Sequence, residues 1–371
     1  MKNFQKYNLS KEILNSLDGI NFKIPTPIQE KAIPLILLGN DVLGSAQTGT
    51  GKTAAFCIPM IEILMKSSKG SALILTPTRE LAKQVLDVIK ILIGHKPELK
   101  SVSLIGGESM GKQLSELRKR PRIYVGTPGR INDHLKRGTL NLYDTNFIVL
   151  DETDRMLDMG FGVQIDKIIK YIPKKRQTLM FSATIPDDIV KLSFKYLNNP
   201  KHISIDNKNI VAKNIKQKII ELTTDEKYDE LVSQLSKRIG SVLIFVKTKY
   251  GSEKIAKKLV RNKLRAFALH GGLRQNKRNN IMDNFRNEKF RILVATDIAS
   301  RGLDIPHIQH IINYDLPQLA EDFIHRIGRT ARAGLHGEAV SFITKSDIGK
   351  WKAIEKLINP LKKSDNYINV I

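Results

Sequence analysis

Small, hydroxyl and basic residues follow one another in Ala46-Gln47-Thr48-Gly49-Thr50-Gly51-Lys52-Thr53, between an apolar run ending at Gly44 and the apolar stretch Ala54–Ile61. Glycines let the backbone turn tightly, and the free N–H groups of the helix start that follows aim at anionic oxygens. Lys52 is placed to reach β- and γ-phosphates, and the Thr53 hydroxyl to sit on Mg²⁺. Ala46 stands where the strict pattern G-x-x-x-x-G-K-[ST] has glycine, so a plain glycine-bearing turn is the competing reading. A second group weighs against that turn. The buried-strand pattern Phe147-Ile148-Val149-Leu150 runs directly into Asp151-Glu152-Thr153-Asp154. Asp151 suits a divalent cation, and Glu152 suits a base that orients and deprotonates an attacking water. An acidic helix start is the plainer alternative, but one triphosphate site explains both motifs.

Other residues complete such a site. Phe22-Lys23-Ile24-Pro25-Thr26-Pro27-Ile28-Gln29 offers a ring to stack on adenine and, in Gln29, an amide that both donates and accepts, although taken alone the segment reads better as a surface turn with a half-buried phenylalanine. Arg326, Arg329 and Arg332 recur every third residue in His325–Arg332, which on a helix puts them within about one face. An arginine delivered to a γ-phosphate accelerates transfer by roughly 10³ to 10⁵; a solvated basic helix is the alternative.

These groups need strands that end on one edge. Apolar runs at Asp41–Gly44, Ala72–Leu75, Ser101–Ile105, Arg122–Val125, Phe147–Leu150 and Thr178–Phe181 read as strands, with Phe147–Leu150 the clearest buried parallel one. They end in Pro77-Thr78-Arg79, Gly106-Gly107, Thr127-Pro128-Gly129-Arg130 and Ser182-Ala183-Thr184. Ligands of open α/β sheets bind at that edge, where small residues allow close approach and Thr and Arg contact phosphates. The polar stretch Asp206–Asn214 reads as a linker. The second half repeats the alternation with strands at Val242–Val246, Ala266–Leu269, Phe290–Ala295 and His310–Tyr314, but has no phosphate loop. Its strand ends lead to Arg274–Arg278 and to Thr296-Asp297.

The chain has 371 residues, 41% of them hydrophobic, which predicts two ordered domains: 1–207 and 216–371, joined by a linker at 208–215. The net charge is +24, divided as about +10 over 1–207 and about +14 beyond. A polyanionic partner is the first explanation, and a lysine-rich surface the second. The single cysteine, Cys57, excludes an internal disulfide and reads as a small core residue. No apolar run reaches the roughly 18–20 residues of a membrane span, and the first residues carry no signal-like core. The expectation is a cytoplasmic protein with no membrane partner.

The ordered set of motifs resembles the DEAD-box RNA helicases of helicase superfamily 2. It runs from Phe22 and Pro25–Gln29 through Ala46–Thr53, Pro77–Ala82, Gly106-Gly107, Thr127–Arg130, Asp151–Asp154, Ser182–Thr184 and Thr296–Asp304 to His325–Arg332. The resemblance covers Phe4 to about Leu357. It implies two tandem RecA-like domains, each a mostly parallel sheet flanked by helices, with ATP and Mg²⁺ in a cleft and RNA across both. Phe22 and Gln29 would recognise adenine, residues 46–53 (with Gln47, Thr48, Gly49 and Thr50) the phosphates, and Asp304 the ribose. Lys52, Asp151, Glu152, Arg329 and Arg332 would carry catalysis, with Thr53 and Asp151 at the metal. Pro77, Thr78, Arg79, Gly107, Thr127, Arg130, Gln275, Arg278 and Thr296 would hold the RNA backbone without reading sequence. Ser182, Thr184, Asp154, Arg301, His325 and Arg326 would couple nucleotide state to RNA.

The implied activity is RNA-stimulated ATP hydrolysis with local unwinding of short duplexes or remodelling of ribonucleoprotein. An ATP-gated RNA clamp and a DNA translocase of the same superfamily are the alternatives. The chain departs from the family pattern at Thr153, where the family has alanine, and at Asn21 and Ala331, where it has glycine.

Overall fold

The computed structural model describes residues 3–46, 49–94, 99–205, 215–297, 308–330 and 337–358. The chain divides into two compact units, Met1–Asp206 and Asn207–Ile371. In the first, strands β1 (Val42–Ser45), β2 (Ser71–Leu75), β3 (Ser101–Leu104), β4 (Ile123–Gly126), β5 (Thr145–Leu150), β6 (Gln177–Ser182) and β7 (Lys201–Ser204) form one sheet. Its order is β3-β4-β2-β5-β6-β1-β7, and every pairing is parallel. In the second, β8 (Ile215–Glu221), β9 (Ser241–Phe245), β10 (Ala266–Leu269), β11 (Ile292–Ala295), β12 (Ile308–Asn313) and β13 (Gly337–Ile343) are ordered β10-β11-β9-β12-β13-β8, again all parallel.

Period-two alternation sends successive side chains to opposite faces. Ala72, Ile74, Phe147, Val149 and Phe181 pack into one core, and Leu73, Leu75, Ile148, Leu150 and Met180 into another on the opposite face. In the second unit Leu243, Phe245 and Leu293 face one core and Val242, Ile244 and Val294 the other. Both faces of each sheet are therefore covered, which explains the continuous apolar runs. Cys57 is fully buried in the first core, and burial pushes its thiol pKa well up.

The predicted strands are present. Three further strands were not expected: β7 (Lys201–Ser204) is mostly exposed and β8 (Ile215–Glu221) buries only its first residue, so both lack that signature, whereas β13 carries it in the buried Ala339–Ile343 after an opening Gly-Glu. Ile215, expected in the linker, starts β8, and 208–214 lies outside the described residues.

Candidate functional site

The first unit gathers its candidate residues at the C-terminal ends of β1, β5 and β6. Beyond β1, Ala46 donates its N–H to the Ser182 carbonyl at 3.1 Å. Gly49 and Gly51 take φ of +86° and +93°, a conformation that favours glycine. Gly51 caps the helix Lys52–Lys66. A side chain there would also press on its neighbours, since an added Cβ would lie 2.9 Å from Thr26 Oγ1 and closer still to Gln29 Nε2. Lys52 is 6% exposed and donates from Nζ to the Ala46 carbonyl at 2.7 Å, closing the loop on itself. Gln47 and Thr48 lie outside the described residues.

The aromatic–glutamine segment is attached directly to this loop. Gln29 is fully buried at the start of the helix Pro27–Leu37. Its Oε1 accepts from the Thr26 N–H at 2.9 Å, and its Nε2 donates to the Gly51 carbonyl at 3.1 Å. Each amide atom keeps capacity for one further bond. Phe22 stacks on Phe4 with ring centroids 6.0 Å apart. The backbone that aims it is a Schellman turn: Phe22 N–H bonds Leu17 O, and Asn21 N–H bonds Asp18 O, at the end of the helix Lys11–Gly19. Asn21 takes φ +58° there. Asparagine tolerates that region better than most residues, which accounts for its standing in the place of glycine.

Beyond β5, Asp151 is 2% exposed and Glu152 3%. Burial pushes the Asp151 pKa up to about 7; Lys52 opposes the shift and Glu152 adds to it. Glu152 sits at φ +50°, ψ +52°, in the left-handed region, and caps the helix Thr153–Asp158. Its Oε2 accepts from Arg155 Nη1 at 2.9 Å in an ion pair that is almost wholly buried. Arg155 was not singled out in the sequence. Its only signal is position, since three residues along a helix is within reach of a carboxylate.

Asp154 ties this turn to the next. Its Oδ2 accepts from the Ala183 and Thr184 N–H groups, each at 3.1 Å, and from Thr184 Oγ1 at 3.2 Å. Its own N–H donates to Ser182 Oγ at 3.3 Å. The acidic tetrad and the Ser182–Thr184 turn are one hydrogen-bonded unit.

The neighbouring ends of β2, β3 and β4 also meet. Thr78 caps the helix Arg79–Ile93 by accepting from the Leu81 N–H at 3.2 Å. The Arg79 guanidinium lies against Gly106, where an added Cβ would stand 3.1 Å from Nη2. Gly107 has φ +79°. Arg130 donates to the Ile105 and Glu108 carbonyls at 3.1 and 3.0 Å, so its guanidinium pins the loop that holds Gly107. Thr127 follows β4 and bonds Leu104 O through its N–H. Pro77 lies between β2 and this cap, and Thr53 is half-buried in the first turn of its helix.

In the second unit Thr296 follows β11 and is 8% exposed. Gln275 and Arg278 begin the helix Gln275–Arg286 and are buried, at 4% and 6%. Arg326 is 2% exposed and chelates Asp297 through bonds of 2.6 and 2.7 Å, with further bonds to Asn313 Oδ1 and the Asp315 carbonyl. The expectation of one arginine face on a helix is corrected: the helix Ala320–Ile327 ends at Gly328, and Arg329 lies beyond it. Three-residue turns continue the chain, with Arg329 N–H on Arg326 O and Thr330 N–H on Ile327 O. Arg329 is 2% exposed and bonds the His325 carbonyl through Nε. Arg301, Asp304, Ala331 and Arg332 lie outside the described residues.

A parallel α/β unit with a glycine-bearing phosphate loop after one strand and paired carboxylates after another has the architecture of a P-loop nucleotide-binding protein. Residues 26–192 match the family model for DEAD/DEAH box helicases, and residues 226–334 that for the helicase conserved C-terminal domain. The chain is 42% identical over 358 residues to the DEAD-box ATP-dependent RNA helicase CshA of Geobacillus kaustophilus, covering 96% of this chain and 76% of that protein. It is 42% identical over 346 residues to the ATP-dependent RNA helicase DbpA of Bacillus subtilis, covering 93% and 72%. Among solved structures it is similar to S. cerevisiae Dbp5 bound to RNA and ADP BeF3, with TM-score 0.88, 31% identity and coverage of 98% and 95%. It is also similar to a DEAD box protein of Methanococcus jannaschii, with TM-score 0.56, 42% identity and coverage of 96% and 97%. The chain belongs to the DEAD-box helicase family.

Proposed function

We propose that this protein is an ATP-dependent RNA helicase, whose RNA-stimulated ATP hydrolysis drives local, non-processive separation of short duplexes or remodelling of ribonucleoprotein. One observation carries the reading: Asp154 joins the carboxylates beside the phosphate loop to the Ser182–Thr184 turn, so a change at the nucleotide has a covalently short route out of the site. Family membership supplies the substrate classes.

In this reading Gln29 and Phe22 hold adenine and Asp304 the ribose. Residues 46–53 cradle the phosphates. Glu152 orients and deprotonates the attacking water, and Arg155 holds Glu152 in place. Lys52, Arg329 and Arg332 meet the charge that develops on the γ-phosphate. Pro77, Thr78, Arg79, Gly107, Thr127, Arg130, Gln275, Arg278 and Thr296 hold the RNA backbone. Arg301, His325 and Arg326 take part in coupling with Ser182, Thr184 and Asp154. Residues 1–207 and 216–371 are the two domains.

The described residues contain no group of three or more His, Cys, Asp or Glu side chains placed to hold a metal. The buried Asp151 carboxylate, with Lys52 and Glu152 as its charged neighbours, fits a Mg²⁺ that arrives with nucleotide phosphates rather than one held in a protein cage. When bound, Mg²⁺ would neutralise phosphate charge, with Asp151 and Thr53 as its protein ligands. No described helix is long and apolar enough to cross a membrane, and we place the protein in the cytoplasm.

Steady-state ATP turnover at fixed salt, alone and with single-stranded RNA or DNA, tests the reading when run beside Glu152→Gln. Stimulation by RNA that is lost in the variant is the expected result. Equal stimulation by DNA would indicate a translocase, and ATP-dependent RNA retention without stimulated turnover would indicate a clamp.

A further inference from the structure

The residue that breaks the family tetrapeptide makes contacts that alanine cannot. Thr153 is fully buried. Its hydroxyl lies 3.0 Å from the Leu150 carbonyl and 3.3 Å from the Phe181 carbonyl. One hydroxyl hydrogen can serve two carbonyls as a three-centre bond. Leu150 ends β5, and Phe181 is next to last in β6. The two strands are neighbours, with Leu150 in register with Met180.

The ladder between β5 and β6 stops at this point because of the carboxylate turn. Asp151 directs its N–H to Leu75 on β2. Strand alternation would send the next N–H, that of Glu152, toward β6 and the Phe181 carbonyl. The chain instead turns into the left-handed region at Glu152, and its N–H goes to Asp151 Oδ1 at 2.9 Å. The Phe181 carbonyl thereby loses the donor that a continued strand would bring. The Thr153 hydroxyl supplies one from the same turn.

We propose that Thr153 is a positioning residue that fastens the Asp151–Glu152 turn to the strand end bearing Ser182–Thr184. Thr153 and Asp154 are consecutive, and each bonds a consecutive piece of the β6 end: Phe181 from one, Ser182, Ala183 and Thr184 from the other. Two ties in tandem fix the angle between the turns as well as their distance. A family member with alanine has only the second tie. The functional consequence rests on the helicase reading: movement at the carboxylates is passed to the Ser182–Thr184 turn without slack, so each ATP hydrolysed separates more duplex. The structural half rests on the hydrogen bonds alone.

Thr153→Val and Thr153→Ser separate the hydroxyl from the shape of the side chain. Valine keeps the volume and loses the donor, while serine keeps the donor and loses the methyl. Amide hydrogen exchange of the full chain reads the tie, and the ratio of short RNA duplexes separated to ATP hydrolysed reads its use. In Thr153→Val the Ala183 and Thr184 amides are expected to exchange about five-fold faster and the coupling ratio to fall by about the same factor, the size of one lost hydrogen bond. Thr153→Ser is expected to restore both to within about two-fold. Wild-type exchange and coupling in Thr153→Val would overturn the proposal. So would a Thr153→Ser as impaired as valine, which would assign the effect to the methyl, or faster exchange extending equally to β9, which would mean general loosening. A wild-type protein without RNA-stimulated turnover would remove the helicase reading and leave the exchange measurement to decide the tie.

Discussion

The two units thread their strands in the same spatial order, and the place held by β1 in the first is held by β8 in the second. Each of these strands leads through a turn to a helix whose first residue is a lysine, Lys52 or Lys227. Each lysine belongs with an aspartate just past the fourth strand of its sheet, Asp151 after β5 or Asp315 after β12. What differs is the turn. In the first unit its Gly49 and Gly51 are left-handed, and among the described residues Lys52 donates its hydrogen bond to backbone, at the Ala46 carbonyl. In the second it is Leu222-Thr223-Thr224-Asp225-Glu226. There Glu226 Oε2 takes the Thr223 N–H at 2.7 Å and its hydroxyl at 2.8 Å, and Lys227 Nζ is held by Asp315 at 3.0 Å and the Tyr314 carbonyl at 2.8 Å. One topology thus brings a turn and a lysine-started helix to the same place twice. Side-chain choice fills it with an internal carboxylate in the second copy, while in the first it is the place proposed above for an external phosphate.

The two lysines give the sharpest contrast. Lys52→Ala is expected to lower ATP turnover by about 10² to 10³, the scale for removing one group that meets transition-state charge. Lys227→Ala is expected to leave turnover within about two-fold, because its partner is internal. It should instead destabilise the second unit by about 1–3 kcal/mol, below the full cost of breaking a buried pair, because Asp315 remains 30% exposed. Turnover assays and thermal unfolding on the same two variants check both halves. A loss of turnover in Lys227→Ala would end the idea that the second site is closed.

The turns themselves come next in size. Gly51→Ala must place a side chain at φ +93° against Thr26 and Gln29, and a strain of about 1–3 kcal/mol is expected, read as weaker ATP binding in a titration. The matching helix cap in the second unit, Glu226, has φ −73°. Glu226→Ala therefore carries no backbone strain and is expected to leave ATP affinity unchanged.

The smallest expected effect is a titration. The Thr223 backbone N–H, then its hydroxyl, holds the Glu226 pKa below the usual 4.5. A lowered folded pKa means that the unfolded chain takes up the proton first, so the bond's contribution is whole above 4.5 and fades as pH falls through the lower folded value. The Thr223 amide shift followed by NMR should move with a midpoint below 4.5 and become flat in Glu226→Gln. A midpoint at or above 4.5 would mean that the carboxylate does not fill the turn.

Much of this comparison was legible in the sequence because it rests on buried strands. Phe147–Leu150 and Val242–Val246 advertise themselves by continuous apolar residues, and the loops between them carry the motifs. Edge strands do not: β7 and β8 are mostly exposed, and their residues answer to solvent more than to a core. At the site, residue types were readable but their partners were not. Nothing local shows that Arg130 pins the loop of Gly107, that Arg326 is spent on Asp297, or that Arg155 is buried against Glu152. Those pairings depend on which strand ends become neighbours. The three-residue arginine spacing misled for a local reason, since Gly328 ends the helix between the first and second of them.

Among the described residues, the seventh strand of the first sheet has no counterpart in the second. β7 covers the outer side of β1, while β8 ends its sheet among the described residues. A bare strand edge is a template on which another copy of the chain can add itself. β8 reads Ile-Lys-Gln-Lys-Ile-Ile-Glu, with Lys216, Gln217 and Lys218 all exposed. Two lysines on the rim make such stacking repel itself at the first contact. Part of the positive charge of this protein therefore lies where it opposes self-association, and neutralising Lys216 and Lys218 is expected to lower solubility.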